Sequence, residues 1–301
     1  MIRIVLLGRT GNNIFQYALG RVLAQQHGVP LVLDASWFNA EGWAEVSHFL
    51  RLPIQATVIR PFSLGSRAFR NLTGKHFWEY RRFPFIKEPT SDQSFDPRYL
   101  SSPADCCLFG YFQSPLYFQG IADELRTELN ELISLGAHSP SREDSLSDFA
   151  STQGSRRAKI LSLAENLNSP ASVAVHIRRG DYQHHPCFQV CDLEYYRKSI
   201  ETMRARIPRA RFFVFSDDPD WCRTAFREND VVIIDSGSAG NNPLHDLHLM
   251  SLASHHIIAN STYSWWAAWL GDKPGQQVVM PDRWYARDIT APIEEKFWKL
   301  P

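Results

Sequence analysis

From residue 172 to residue 280 the chain repeats one pattern. A short apolar run rich in β-branched and aromatic residues gives way to a polar turn, and then to a stretch with helical spacing. The apolar runs fall at 172–177, 211–215, 231–234, 256–259 and 277–280. The helical stretches fall at 193–205, at a segment opened by Pro219, at 244–254 and at 262–270. Strands that alternate with helices predict a parallel sheet covered on both faces, because a parallel neighbour can be reached only by a crossover long enough to hold a helix.

The opening of the chain has the same character. Residues 2–7 form an apolar run that stops at Gly8, and Ile14, Phe15, Ala18, Leu19, Val22 and Leu23 then recur at helical spacing. Gly28 ends that helix, and Pro30 introduces a second strand at 31–33 that finishes in Asp34, which makes a βαβ unit. Residues 106–112 resume a strand and 121–135 read as an amphipathic helix. Between about 38 and 105, prolines, basic residues and aromatics follow no period, and no element is assigned there. Residues 136–157 are rich in Ser, Asp and Gly, so the expected division is an N-terminal domain over 1–150 and a C-terminal domain over 151–301. No internal repeat is visible.

Composition narrows the function. Lys and Arg total 32 and Asp and Glu total 32, so the formal net charge is zero. No global field attracts a polyanion, general nucleic-acid binding is excluded, and any phosphate must be held by a few placed groups. With 301 residues the chain can bury a full core without disulfide staples. Its five cysteines, Cys106, Cys107, Cys187, Cys191 and Cys222, are odd in number and fit no disulfide framework. Cys187 and Cys191 near His184 and His185 suggest zinc only weakly, since the spacing is loose and a second ligand pair is missing. The start MIRIVLLG has no basic leader, and no window approaches the roughly 18 apolar residues of a spanning helix. A cytoplasmic protein is expected, with peripheral contact at the inner membrane face left open.

Ligands of open parallel sheets bind beyond the carboxyl ends of the strands, which directs attention to four segments. In VAVHIRRGDY, His176, Arg178, Arg179 and Asp181 stand at a strand mouth. Paired guanidiniums there suit an anion, because each planar fork grips two oxygens and stays charged at any working pH. The plainer reading is an Arg–Asp pair tying the strand end to a neighbour. In IIANSTYSWWAAWLG, Asn260, Ser261, Thr262 and Ser264 lead into an apolar helix, whose mouth offers amide donors and the positive end of a dipole. The plainer reading makes Ser261 an N-cap and Trp265, Trp266 and Trp269 core packing.

The third segment, FFVFSDDPDW, contains Asp218-Pro219-Asp220, which matches the DxD pattern of metal-dependent sugar transferases. Asp217 or Asp218 is also placed to accept hydrogen bonds from a base or ribose, and helix capping is the third alternative. In the fourth, GRTGNNIFQYA, the glycines do not have dinucleotide spacing. Asn12, Asn13 and Gln16 gather neutral amides suited to sugar hydroxyls, with turn formation and capping as the other reading.

Taken in order, these segments resemble the alpha-1,2-fucosyltransferase family, which is marked by a GGLGNQMFQYA-type start, HIRRGDY, an FFVFSDDPDW-like stretch and an NSTFSWWAAWL-like stretch. GYFQSPLYF at 110–118 resembles a further family segment. The likeness spans most of the chain and is weakest over about 38–105 and 136–165. Arg9-Thr10 replaces the usual Gly-Leu pair, Asn13 stands where Gln is frequent, and Tyr263 stands where Phe is common.

The resemblance implies an α/β, GT-B-like fold, with two Rossmann-like domains facing a central cleft. The first would be the acceptor side, the second would bind GDP-fucose, and the final helix would pack back on the first. It implies transfer of L-fucose from GDP-β-L-fucose to the 2-hydroxyl of a terminal galactose on an oligosaccharide or glycolipid, with inversion, no cofactor and no metal. Arg178 would contact the β-phosphate with Arg179 in support. His176 and one of Asp217 or Asp218 would hold ribose and guanine, and Ser261, Thr262 and Ser264 would serve the phosphates. Asn12 would lie near the reacting sugar, Asn13, Gln16 and Gln113 would meet the acceptor, and Asp181 is the candidate base. The alternatives are a DxD metal-dependent transferase using another nucleotide sugar and a glycan-binding protein without turnover.

Overall fold

The computed structural model describes residues 1–61, 83–89, 93–137, 161–235 and 242–286. These residues fall into two compact units that divide between Glu128 and Leu129. The expected boundary at 150/151 and the expected final helix lie outside the described residues.

The first unit contains β1 (Ile2–Val5), α1 (Thr10–His27), β2 (Leu31–Asp34), α2 (Ala40–Leu50), β3 (Thr57–Ile59), β4 (Phe85–Lys87) and β5 (Cys106–Phe109). α3 (Ala122–Ala137) follows and carries the chain across the division. The sheet order is β3-β2-β1-β5-β4, with every pairing parallel. All four residues of β1 are buried, including Arg3. That charge is tolerated because Asp34, at the end of the neighbouring strand, receives its Nη2 at 2.5 Å and its Nε at 3.1 Å.

The second unit contains β6 (Ser172–Ile177), α4 (Leu193–Arg206), β7 (Arg211–Ser216), α5 (Pro219–Ala225), β8 (Val231–Ile233), α6 (Pro243–Leu252), β9 (His255–Ile257), α7 (Thr262–Leu270) and β10 (Val278–Val279). Its sheet runs β10-β9-β6-β7-β8 and is again wholly parallel. The apolar run of β6 is buried along its whole length, as a central strand covered on both faces requires. Tyr196, Ile200 and Met203 of α4 recur at helical spacing and join Val173, Val175 and Ile177 in one core. Trp265 and Trp266 of α7 are fully buried, and Trp269 lies parallel to the Trp265 ring, so these tryptophans pack the interior.

Helix boundaries follow local chemistry. Gly28 closes α1 at φ +61°, a conformation that favours glycine. Asn39, Asp192, Asp218 and Asn242 each cap a helix through the side chain, and Pro219 and Pro243 occupy first-turn positions.

The region left without elements at about 38–105 does contain α2, β3 and β4. α2 buries Val46, Phe49 and Leu50. β3 and β4 are three-residue strands at opposite sheet edges with largely exposed side chains, too short and too open for a period of two to register.

In both sheets the first strand of the unit is central. The chain winds outward on one side of it and then returns to the other, so a topological switch point lies between β1 and β5 and another between β6 and β9.

Candidate functional site

At the second switch point, β6 runs into Arg178, Arg179 and Asp181, and β9 runs into Asn260, Ser261 and α7. β7, on the other flank of β6, delivers Asp217 and Asp218. The register explains their meeting: Ile177 pairs with Ser216, so the residues just beyond each strand emerge side by side.

The two arginines are paired with three aspartates. Arg178 Nη1 lies 3.1 Å from Asp217 Oδ2 and its Nη2 lies 2.7 Å from Asp181 Oδ1. Arg179 Nε lies 3.0 Å from Asp218 Oδ2, and its guanidinium stacks on Trp221 at 3.8 Å. Asp217 does a second job, accepting the backbone N–H of Arg179 at 2.9 Å through Oδ1. Burial pulls the Arg178 guanidinium down, but Asp217 and then Asp181 outweigh it and hold the group above its ordinary value. A Cβ at position 180 would stand 2.8 Å from Asp217 Oδ2, so any larger residue than Gly180 would displace that carboxylate.

The mouth of α7 lies beside this cluster. Ser261 occupies the N-cap position, yet its side chain makes no capping bond, so the hydroxyl is not what closes the opening amides of the helix. Tyr182 reaches across from the β6 loop and donates its hydroxyl to the Asn260 carbonyl at 3.1 Å. Ser264 is buried and donates to the Ser261 carbonyl, which makes it a brace of the turn. His176 lies 5.5 Å from the ring of Tyr263, in the first turn of α7. Burial, reinforced by Arg178 and opposed by Asp246, lowers its imidazole to about 3, and its Nδ1 has no partner among the described residues. The neutral imidazole with its unsatisfied nitrogen, the two anchored guanidiniums and the helix mouth are thus the groups that this switch point offers to a ligand.

The DxD triplet does not fit a cation. Asp218 caps Trp221 N–H and pairs with Arg179, while the Asp220 carboxylate goes to Arg223 at 2.5 Å. Cys191 donates to Asn260 Oδ1, and among the described residues no cluster of three or more His, Cys, Asp or Glu is arranged to hold a metal.

At the first switch point the amides behave differently from one another. Gly8, at φ +71°, brings the turn so close that a Cβ would stand 2.0 Å from Asn12 Nδ2. Asn12 accepts Gln113 Nε2 at 2.7 Å, which joins the first turn of α1 to the loop after β5. Asn13 and Gln16 are fully buried. Asn13 Nδ2 donates to the Leu7 carbonyl and to Gln16 Oε1, and Gln16 Nε2 donates to the Gly110 carbonyl at 2.7 Å. These two side chains therefore hold the loops together from inside. Of the four amides, Asn12 alone is more than slightly exposed.

Three contributors were not singled out from sequence. Tyr182 followed the arginine motif directly and could have been read as part of it. Asp246 acts on His176 from α6, across a separation no local pattern encodes. Glu88 is buried and accepts the backbone N–H of Tyr111 at 2.6 Å and of Phe112 at 3.1 Å, shaping the loop that carries Gln113. A lone glutamate just after a short edge strand gave no signal.

A wholly parallel α/β sheet with polar groups gathered at its switch point is the class of fold that receives a ligand beyond the carboxyl ends of its strands. The family model for glycosyl transferase family 11 matches residues 137–299. The chain is 30% identical over 313 residues to the O-antigen biosynthesis glycosyltransferase WbnK of Escherichia coli, across 97% of this chain and 98% of that protein. It is 28% identical over 296 residues to an alpha-1,2-colitosyltransferase of Escherichia coli, across 94% and 92%. To the galactoside 2-alpha-L-fucosyltransferase Sec1 of Mus musculus it is 27% identical over 278 residues, across 90% of this chain and 64% of that one. The chain belongs to glycosyl transferase family 11, the alpha-1,2-fucosyltransferase family.

Proposed function

We propose that the protein transfers L-fucose from GDP-β-L-fucose to the 2-hydroxyl of a terminal galactose, with inversion and without a metal. The observation that carries this reading is Arg178, fixed between Asp217 and Asp181 beside the mouth of α7. In the reaction the galactose oxygen bonds to C1 of fucose while the bond from C1 to the β-phosphate oxygen breaks. GDP leaves with the bonding pair, and the hydroxyl proton passes to a base. Negative charge grows on the diphosphate, and a preorganised cation with helix dipoles stabilises it where another enzyme would use a metal.

Within this reading Arg178 meets the β-phosphate, Arg179 supports it, and the backbone at Ser261 and Thr262 serves the phosphates. His176, neutral and with Nδ1 unsatisfied, is suited to a ribose hydroxyl. Asp217, Asp218 and Asp181 are turned to the arginines, so they act as anchors of the cation pair rather than as nucleoside contacts or base. Asn12 is the first unit's candidate for acceptor contact. No helix among the described residues is long and apolar enough to cross a membrane, and cytoplasmic action on a soluble or lipid-linked acceptor is part of the proposal.

A second donor has support in the likeness to an alpha-1,2-colitosyltransferase. Colitose is fucose without its 3-hydroxyl, and the same diphosphate site accommodates either sugar. The deciding experiment incubates the protein with GDP-fucose or GDP-colitose and a panel of galactosides, and reads product linkage by NMR. An α-1,2 fucosyl product with the higher kcat/KM for GDP-fucose supports the reading. Preference for GDP-colitose replaces the donor, and saturable glycan binding without product removes the enzyme reading.

A further inference from the structure

The loop after β6 and the turn before α7 carry the two halves of the proposed diphosphate site, and they are fastened to each other at several points. Tyr182 donates to the Asn260 carbonyl at 3.1 Å, and the Ser261 side chain also hydrogen-bonds it. Asn260, itself buried, returns its Nδ2 to the carbonyls of Phe188 at 3.1 Å and Trp284 at 3.0 Å. The Tyr182 ring stacks on Phe188 at 4.8 Å, and the Arg178 guanidinium carbon lies 5.6 Å from the Tyr182 ring centre. One side chain thus touches the cation through its face and the helix mouth through its hydroxyl.

We propose that Tyr182 is a positioning residue that sets the Arg178 guanidinium at a fixed separation from the Asn260–Ser261 turn, so that both engage the same diphosphate. The inference rests on the donor reading given above. The Asp217 and Asp181 carboxylates hold Arg178, and Asp217 also holds the backbone of Arg179, while Tyr182 ties that same cation to the Asn260–Ser261 turn. The hydroxyl of Tyr182 is held in its neutral, donating form, since burial lifts it to about 12.

The test compares wild type, Tyr182→Phe, Tyr182→Leu and Arg178→Ala, each checked for folding by circular dichroism and thermal melting. GDP and GMP affinities are measured by calorimetry. Phe keeps the ring beneath the guanidinium and removes only the hydroxyl, so it folds even if Leu does not.

The expected result is a GDP affinity lowered about 5-fold by Phe and about 30-fold by Leu, the size of one lost hydrogen bond and of that bond plus a ring contact. GMP, which lacks the β-phosphate, should lose less than 2-fold with Phe. An equal loss for both nucleotides, or no loss for either, would overturn the positioning role. Arg178→Ala separates the two levels of the argument. If it binds GDP as tightly as wild type, the donor reading itself fails. If it loses GDP binding while Tyr182→Phe does not, only the present inference fails.

Discussion

Asp217 holds two consecutive arginines by different means: its Oδ2 lies 3.1 Å from the Arg178 guanidinium, and its Oδ1 accepts the Arg179 backbone N–H at 2.9 Å. The carboxylate therefore fixes both the path of the loop and the direction of its cation. Such an arrangement requires no reorganisation when negative charge develops on a ligand, which is the property that makes a fixed cation effective in a transition state.

Arg178→Ala is expected to lower kcat by about 100-fold or more, in line with the loss of one preorganised charge-stabilising donor. The loss should be largest in kcat, because the diphosphate carries more charge in the transition state than in the bound donor. Steady-state kinetics with GDP-fucose and a reactive galactoside measures it. Near-normal turnover in a folded variant would remove Arg178 from the chemistry.

Gly180→Ala isolates positioning from charge. The added Cβ would stand 2.8 Å from Asp217 Oδ2, and the atom that must yield is the tip of a side chain. Stability should change little, while displacement of the carboxylate loosens its pairing with Arg178. Full loss of a charge-assisted hydrogen bond, about 1.5–3 kcal/mol, would be about 10- to 150-fold, and loosening it is expected to lower turnover about tenfold with a melting temperature near that of wild type. Unchanged turnover would mean that Asp217 is dispensable for aiming the guanidinium.

Much of this site was legible in the sequence because the strands announce themselves. Ser172–Ile177 is mostly apolar and wholly buried, as a central parallel strand must be, and the residues just after it stand where open parallel sheets receive ligands. The pairing of Arg178 with Asp217 and of Arg179 with Asp218 was not legible, since it depends on the alignment of Ile177 with Ser216 across two strands. Local pattern carries no information on register between segments that far apart. The amides of the first unit show the same limit. Asn12, Asn13 and Gln16 look equivalent as a polar cluster, yet α1 turns Asn13 and Gln16 inward to the carbonyls of Leu7 and Gly110 and leaves Asn12 at the edge. α2 was missed because its apolar positions are interrupted by Gly42 and several polar residues, and its cap at Asn39 sits in a stretch with no other period.

His256 is expected to make folding stability fall on acidification. Its Nε2 lies 2.9 Å from the Met250 carbonyl and its Nδ1 lies 3.1 Å from Gln276 Nε2, so one nitrogen donates and the other accepts, as in a neutral ring. Burial lowers it to about 3. In the unfolded chain a histidine titrates near ~6.5. Between those values the unfolded state binds a proton that the folded state does not, and stability is lost as pH falls through that window, at about 1.4 kcal/mol per pH unit. Urea unfolding at pH 7 and pH 5 should show a shallower pH dependence for His256→Gln than for wild type. An identical slope in the two proteins would mean that the ring is not held neutral.

Turnover is expected to persist in excess EDTA. The reason lies in how the acidic triplet is used. Asp218 faces Arg179 and the opening amide of α5, and Asp220 faces Arg223, so a divalent ion would have to break two ion pairs and a helix cap before it met a second carboxylate. The stabilisation such an ion would supply is assigned instead to Arg178 and the mouth of α7, which predicts that added Mn²⁺ or Mg²⁺ leaves kcat within about twofold. Loss of activity in EDTA with full recovery on Mn²⁺ would overturn the assignment and return the triplet to the role of a metal site. The same assay at rising ionic strength gives an independent check. Exposed charges are screened over about 8–10 Å at ordinary salt, but Arg178 is largely sheltered, so kcat should depend on salt far less than KM for the charged donor.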